Sequence, residues 1–276
     1  MIYRDYIETE IADHCNLRCK ECSHHSPYLR RGFYELGQYQ KDVAALAKVL
    51  HVKGLRIMGG EPFLNRKLLT YVAIARDCGL ADAIGVCTNG TLLDQVGEKV
   101  MAAVDFLDIN TYPLAEKLQT RVDGNIRRLQ AIAPHKIKIV RNTDSRVSDS
   151  LVRNTDSGLV RDIWRGCHIK LRCHAFYKGH YLRCMISRRK GPFLAAMGVS
   201  EIQPLLDPRV DGLSLTTDHL EEALADFIDS DEPLHACAWC LGTSGRRLPH
   251  RQIQVNDTMI QTMEELVGNL DLRRLQ

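Results

Sequence analysis

Three cysteines stand close together near the start of the chain, in the stretch IADHCNLRCKECSHHSP. They are Cys15, Cys19 and Cys22, separated by three and then two residues. Three thiolates at this spacing can ligate one metal centre from a single loop and leave one coordination position without a protein ligand. A structural zinc site normally has four protein ligands, so the spacing favours an iron–sulfur cluster with one open iron. The alternative is a zinc site completed by His24 or His25.

Five further cysteines lie in the last 110 or so residues, in the stretches CHIKLRCHAFYKGHYLRCMIS and HACAWCLGTSG. One iron–sulfur cluster needs four thiolates, so one of the five is spare. A zinc knuckle with one inert thiol is the alternative. The remaining pair, Cys78 and Cys87, falls in a helix end and a buried strand and is expected to pack as core residues. The five cysteines of the C-terminal part are Cys167, Cys173, Cys184, Cys237 and Cys240.

Composition narrows the class of protein. A total of 37 Lys and Arg against 34 Asp and Glu gives a net charge of +3, and the run RRK at residues 188–190 is interpreted as solvated surface. Nucleic-acid binding would need a broader basic face, and no apolar stretch is long enough to span a membrane. The N-terminus MIYRDYIETEIAD carries charges where a signal peptide would be apolar, so a cytoplasmic protein is expected. Thiols stay reduced there, which favours metal binding or catalysis over disulfides.

Short apolar strands alternate with helical patterns from Tyr6 to about Val140. Repeated strand and helix alternation predicts a parallel sheet with helices outside it, and about six units predict an open, partial (β/α)6 barrel. A near repeat follows, VRNTDSRVSDSL and then VRNTDSGLVRDI, which is interpreted as a local duplication in a connecting segment. Aromatic residues around Gly179 predict a β-hairpin. We therefore expect an α/β barrel domain over residues 1–160 and a small iron–sulfur module over residues 161–276.

Several of these segments resemble radical S-adenosylmethionine (radical SAM) enzymes over residues 6 to 140. CNLRCKEC resembles their cluster loop, GGEP at residues 59–62 resembles the segment that holds the methionine amino group, and TNG at residues 88–90 and INTYP from residue 109 match strand ends that touch ribose and adenine. Glu21 departs from the family, which usually has an aromatic residue there. The resemblance implies S-adenosylmethionine contacts at Gly59, Gly60, Glu61, Pro62, Thr88, Asn89 and Asn110.

The resemblance also implies the chemistry. The open iron would chelate S-adenosylmethionine, and one electron from the cluster would split the sulfonium to methionine and a 5'-deoxyadenosyl radical that abstracts a C–H hydrogen. A flavodoxin- or ferredoxin-type protein would supply the electron. Two [4Fe-4S] clusters are expected, one on each cysteine set.

The C-terminal cysteines resemble the auxiliary-cluster modules called twitch and SPASM domains. Gly179 followed by four residues and Cys184 fits their hairpin signature, which leaves Cys173 spare. Ligation by Cys167 and Cys173 with the later pair would instead leave Cys184 spare, and both assignments stay open.

A short radical SAM chain with one such module resembles the enzymes that dehydrogenate or epimerise aminocyclitols and aminoglycoside sugars. A spare thiol, Cys173 or Cys184, that delivers hydrogen to the opposite face would give epimerisation, which the fifth cysteine favours. A base and an electron-accepting auxiliary cluster would give a ketone, and Arg141, His174 and His180 are candidate bases. A SPASM-type peptide maturase is the less favoured alternative.

Overall fold

The computed structural model describes residues 1–200, 202–254 and 257–275, apart from the side chains of residues 95 and 96. The chain divides into two compact units. Unit 1 comprises Met1–Asn16 and Arg31–Thr143, and unit 2 comprises Leu17–Arg30 and Asp144–Gln276. The sequence predicted a division after residue 160, whereas in the structure the segment 144–160 and the segment 17–30 group with the C-terminal part.

Unit 1 is built on five parallel strands in the order β5-β4-β3-β2-β1. Helices connect the strands, as parallel pairing requires. Residues 7–12 of β1 are all buried, which is typical of a parallel sheet covered on both faces. The predicted mixed α/β fold with a parallel sheet is confirmed. The strands are β1 (Ile2–Ala12), β2 (Leu50–Gly59), β3 (Ala81–Thr88), β4 (Phe106–Thr111) and β5 (Ile137–Arg141), and the helices are α1 (Leu36–Leu46), α2 (Leu68–Cys78), α3 (Leu93–Ala103) and α4 (Glu116–Ile132).

The first helix gives way to a strand inside a stretch of helical spacing. The apolar residues of YQKDVAALAKVLHV, residues 39–52, have the spacing of a helix, but α1 ends at Leu46 and β2 begins at Leu50. The Glu35 carboxylate caps the start of α1 by accepting hydrogen bonds from the backbone of Gly37 and Gln38. Leu50 pairs with Ile2 in the parallel ladder, so tertiary pairing overrides the local helical pattern there.

Unit 2 contains the predicted β-hairpin. Strands β7 and β8 pair antiparallel across a two-residue turn, in which Lys178 and Gly179 have φ values of 44° and 84°. Two positive φ angles are the signature of the turn that matches strand twist in tight hairpins, and this explains the glycine. The strands of this unit are β6 (Asp144–Arg146), β7 (Ala175–Tyr177), β8 (His180–Leu182), β9 (Gly212–Ser214) and β10 (Arg247–Pro249). Its helices are α5 (Ser157–Arg165), α6 (Ile169–Arg172), α7 (Ser187–Ala196), α8 (Gln203–Leu206), α9 (Leu220–Asp229) and α10 (Met263–Gly268).

The two copies of the VRNTDS repeat adopt different structures. Asp144 of the first copy lies in β6, which pairs with β10. Its counterpart Asp156 caps α5, because its carboxylate accepts a hydrogen bond from Leu159 N–H at 3.1 Å. The same six residues therefore adopt different structures in the two copies.

The basic run at residues 188–190 is not solvated surface, contrary to the sequence prediction. Arg189 and Lys190 lie in α7 with 1% and 0% of their surface exposed. The guanidinium of Arg188 lies 3.6 Å from the centre of the Tyr177 ring. Among the described residues, no helix has the length and apolar character that crossing a membrane requires.

Candidate functional site

The GGEP segment closes the C-terminal end of β2 against β1. Gly59 has a φ of 152°, and a side-chain Cβ at this position would lie 2.3 Å from the carbonyl oxygen of Ala12. Gly60 N–H donates to the same oxygen at 2.8 Å, and Glu61 N–H donates to His14 O at 3.0 Å. Glycine at position 59 thus lets two strand ends approach more closely than any other residue would allow.

The carboxylate of Glu61 joins GGEP to TNG within unit 1. Oε1 accepts hydrogen bonds from Phe63 N–H at 3.0 Å and from the Thr88 hydroxyl at 2.8 Å, and Oε2 accepts one from Asn89 N–H at 2.8 Å. Glu61 is fully buried, and this desolvation raises its pKa to about 7 although the three hydrogen bonds lower it. The side chain therefore fixes the loops after β2 and β3.

Asn89 carries the connection on to the first cysteine. Its side-chain N–H donates to Cys15 Sγ at 3.4 Å and to Asn16 Oδ1 at 2.9 Å. Asn16 in turn donates to the Thr91 hydroxyl at 2.7 Å. Sequence reasoning did not single out Asn16 or Thr91, although their positions directly after Cys15 and TNG were the available signal.

The other predicted cofactor contacts in unit 1 lie at strand or helix ends. Pro62 opens the short 3-10 helix Pro62–Leu64. Asn110 lies near the end of β4, opposite Val140 of β5. Gly59, Glu61, Thr88 and Asn110 thus mark the carboxyl ends of three parallel strands, the edge at which ligands bind in α/β folds.

Cys19 and Cys22 belong to unit 2, where a C-terminal segment pairs with their loop. Cys19 and Gln252 form an antiparallel β-bridge, and the Gln252 side chain donates to Cys19 Sγ at 3.7 Å. Desolvation and the neighbouring Cys22 charge raise the pKa of Cys19 to about 11. Nothing near Gln252 in the sequence indicated this role.

Glu21, the departure from the family pattern, has a left-handed backbone with a φ of 54°. Its side chain lines a cavity of about 180 Å³ within unit 2, together with Asp149. Desolvation, and secondarily the Asp149 charge, raises the pKa of Glu21 to about 7.

Among the C-terminal cysteines, four interact electrostatically with one another, and we call these four the auxiliary cysteines. The charges of Cys167 and Cys240 raise the pKa of Cys184 after desolvation, and those of Cys240 and Cys184 raise the pKa of Cys237. Cys240 has its pKa raised to about 11, chiefly by desolvation. The auxiliary cysteines are Cys167, Cys184, Cys237 and Cys240.

Cys173 and the candidate bases lie at the ends of short helices and strands. Cys173 follows α6, and its carbonyl accepts a hydrogen bond from Met185 N–H at 3.2 Å. Arg141 is exposed at the end of β5, 3.9 Å from Asp123. His174 is buried, with Nδ1 2.7 Å from the Tyr181 hydroxyl and Nε2 2.7 Å from Lys170 O, so both nitrogens have structural partners. His180 Nδ1 lies 3.0 Å from Lys178 O.

The zinc alternative at the N-terminal cysteines is not supported by His25. Its Nε2 lies 2.9 Å from Asp149 Oδ1, and its ring stacks on Phe193 with centroids 4.3 Å apart. In the part of the chain that the structure describes, no group of three or more His, Cys, Asp or Glu side chains is arranged to hold a single metal ion.

The donor chemistry fits iron–sulfur clusters. Burial and the charges of neighbouring cysteines raise the pKa values of these thiols, so the thiols stay protonated when no metal is bound. Cluster iron binds cysteines as thiolates and would supply the positive charge that stabilises them. The buried cations Arg189 and Lys190 lie where they offset thiolate charge, since both lower the pKa of a nearby cysteine.

Comparisons with known proteins agree with this chemistry. Residues 9–143 match the family described as "4Fe-4S single cluster domain". GTP 3',8-cyclase of Chlorobaculum tepidum is 31% identical over 107 residues, which cover 38% of this chain and 32% of that enzyme. GTP 3',8-cyclase of Staphylococcus haemolyticus is 35% identical over 104 residues, which cover 35% of this chain and 30% of that enzyme. The matched segment thus covers about a third of the length of these relatives.

A solved structure shares the fold over most of the chain. The crystal structure of BtrN in complex with AdoMet and 2-DOIA aligns with a TM-score of 0.52 and 15% identity, and covers 87% of this chain and 94% of BtrN. The likeness to BtrN shows the fold of this chain, and the match to the 4Fe-4S family covers the part that holds Cys15, Cys19, Cys22 and the strand-end segments GGEP and TNG.

Proposed function

We propose that the chain is a radical SAM enzyme that acts on a carbinol C–H bond of an aminocyclitol or aminoglycoside-type sugar, and that it epimerises this carbon. Support for epimerisation comes chiefly from the mutual interaction of the four auxiliary cysteines. They supply the four thiolates that one [4Fe-4S] cluster needs, so Cys173 becomes the fifth thiol. This favours the first of the two ligand assignments that spacing alone left open.

The N-terminal cysteines, Cys15, Cys19 and Cys22, would hold the first cluster by their spacing in the sequence. The strand-end segments GGEP and TNG would bind S-adenosylmethionine, since Glu61 holds both in fixed positions. Bound there, the cluster and S-adenosylmethionine would supply hydrogen abstraction from an unactivated C–H bond. Asn89 would orient Cys15 through its hydrogen bond to the sulfur.

Cys173 would complete the epimerisation as a hydrogen donor. Its S–H bond breaks homolytically, the hydrogen atom goes to the substrate carbon on the opposite face, and a sulfur radical remains. One electron from a flavodoxin- or ferredoxin-type reductant and one proton from solvent return the thiol. Because the thiol proton exchanges with solvent, the inverted carbon carries a solvent hydrogen.

The experiment uses reconstituted protein, dithionite and S-adenosylmethionine in heavy water with a panel of aminocyclitols and aminoglycosides. We expect one deuterium at an inverted carbinol carbon. In Cys173→Ala, 5'-deoxyadenosine should still form while inversion is lost, and Cys78→Ala serves as the matched control. A ketone without deuterium at that carbon would instead identify a dehydrogenase with the auxiliary cluster as electron acceptor. No substrate-dependent 5'-deoxyadenosine with any member of the panel would contradict the proposed substrate class.

A further inference from the structure

Two cationic side chains are buried in unit 2, in α7. Arg189 and Lys190 are 1% and 0% exposed, and charges are rarely buried to this extent unless they are paired. The Lys190 ammonium contacts the carboxylate of Asp149, which is 2% exposed, and donates to the Trp239 carbonyl at 3.3 Å. These groups form a buried charge network rather than a surface patch.

Asp149 also contacts the histidine that follows the N-terminal cysteines. Its Oδ1 lies 2.9 Å from His25 Nε2, and His25 is 1% exposed. Desolvation alone would raise the pKa of Asp149, but the His25 and Lys190 charges and hydrogen bonds hold it well below its usual range. The carboxylate therefore stays charged beside Lys190, whose own pKa Asp149 raises against desolvation, whereas desolvation lowers the pKa of His25 and favours its neutral form.

This network reaches the loop that carries Cys22. His25 N–H donates to the Cys22 carbonyl at 2.8 Å. The Arg189 guanidinium donates to the His24 carbonyl. One helix thus contacts the loop that carries the second half of the N-terminal cysteine motif.

The same helix and the same carboxylate reach the auxiliary cysteines. The α7 helix begins at Ser187, three residues after Cys184, and the Cys184 carbonyl accepts hydrogen bonds from Ser187 N–H at 3.2 Å and from the Ser187 hydroxyl at 2.8 Å. Asp149 forms a backbone β-bridge with Cys240. The Lys190 ammonium lies beside the same segment, because it donates at 3.3 Å to the carbonyl of Trp239, the residue before Cys240.

We propose that Lys190 and Asp149 are positioning residues that set, with opposite signs, the reduction potential of a cluster bound by the auxiliary cysteines. This inference rests on the proposed function, since it requires that these cysteines bind iron. Reduction adds negative charge to a thiolate-ligated cluster, and the low local dielectric lets a buried cation stabilise that charge and a buried anion oppose it. Arg189 and His25 extend the network to Cys22.

The test isolates the auxiliary cluster by changing Cys15, Cys19 and Cys22 together to Ala. In this background the midpoint potential is measured by EPR-monitored titration for Lys190→Met, Lys190→Arg and Asp149→Asn. Lys117→Met, at an exposed position of α4, is the matched control.

We expect Lys190→Met to shift the midpoint potential of the cluster to more negative values and Asp149→Asn to shift it to less negative values. In Lys190→Arg, which keeps the positive charge, the potential should stay close to that of the parent triple variant. Lys117→Met should leave it unchanged. If the substitutions acted only by loosening the packing, Lys190→Met and Asp149→Asn would shift the midpoint potential in the same direction. Shifts of opposite sign therefore indicate an effect of charge. Unchanged potentials, or shifts of equal sign, would overturn the inference. If Lys190→Met does not bind iron, the direction of the shift in Asp149→Asn decides alone. A shift to less negative potentials supports the inference, and any other result overturns it. Absence of iron in the triple variant itself would overturn the proposed auxiliary cluster and the inference together.

Discussion

The Thr88 hydroxyl donates a hydrogen bond of 2.8 Å to the buried carboxylate of Glu61, and this contact joins the end of β3 to the end of β2. The same carboxylate accepts the backbone N–H of Asn89 at 2.8 Å. Both carboxylate oxygens of Glu61 thus accept hydrogen bonds from the protein itself, and the role of the side chain is to fix the positions of the loops after β2 and β3. The segments proposed to bind S-adenosylmethionine depend on one side chain for their relative position.

Removal of this carboxylate should destabilise unit 1. In Glu61→Ala, the Thr88 hydroxyl and the N–H groups of Phe63 and Asn89 lose their acceptor in a buried position, which we expect to cost about 3 kcal/mol or more of unfolding free energy. Urea titration of the purified protein under anaerobic conditions measures this. Glu116→Ala, at an exposed position in the first turn of α4, is the control and should cost less than about 1 kcal/mol. Equal losses in the two variants would contradict the role of Glu61.

Glu61 should also make stability depend on pH. Its pKa is raised by desolvation from 4.5 to about 7, so the folded protein binds more protons than the unfolded chain between these values. Stability contributed by this group is therefore present below pH 4.5 and is lost as the pH rises to about 7, by up to roughly 3 kcal/mol. The difference in unfolding free energy between wild type and Glu61→Gln, measured at several pH values, should fall across this window. A constant difference would be inconsistent with a protonated Glu61.

The two glycines Gly59 and Gly124 should respond oppositely to alanine. A Cβ at Gly59 would lie 2.3 Å from the Ala12 carbonyl oxygen, whereas one at Gly124, within α4, meets nothing within 4 Å. Gly59→Ala should lower the unfolding free energy by roughly 2 kcal/mol or more, because backbone must move. Gly124→Ala should raise it by about 1 kcal/mol, since alanine is the better helix former. Stable, unchanged Gly59→Ala protein would show that the strand ends are not packed this closely.

Asp156 and Asp144 occupy the same position in the two copies of the VRNTDS repeat, so their substitutions can be compared directly. The Asp156 carboxylate accepts the Leu159 N–H, whereas Asp144 in the first copy lies in β6 and pairs with exposed Arg247. Asp156→Ala should cost about 1 kcal/mol, and Asp144→Ala less than that, because exposed ion pairs contribute little. Thermal unfolding of both variants compares them directly. A larger loss for Asp144→Ala than for Asp156→Ala would contradict the proposed weight of the helix cap over the exposed ion pair.

Local patterns predicted much of unit 1 and the hairpin. Strand and helix alternation predicted the parallel sheet, and the aromatic residues around Gly179 predicted a hairpin that the structure contains. Cys87 is buried as predicted, whereas Cys78 is only partly buried. These features depend on neighbours in the sequence, so a sequence pattern can reveal them.

Contacts between distant residues were not predicted. Lys190 in the run RRK contacts Asp149, 41 residues away, and is buried because of it. Cys19 and Gln252 are 233 residues apart. A basic run has the same sequence pattern whether it is solvated or paired inside, so burial of these charges follows from tertiary structure alone.

Anaerobic formation of 5'-deoxyadenosine tests the central proposal most directly. Reconstituted protein, dithionite and S-adenosylmethionine are incubated, and 5'-deoxyadenosine is quantified for wild type, Cys19→Ala and the control Cys78→Ala. We expect wild type and Cys78→Ala to form it at similar rates and Cys19→Ala to form none, because Cys19 would ligate the cluster that cleaves the cofactor. Wild-type rates in Cys19→Ala, or no product from wild type that binds its iron, would contradict the proposal that this chain is a radical SAM enzyme.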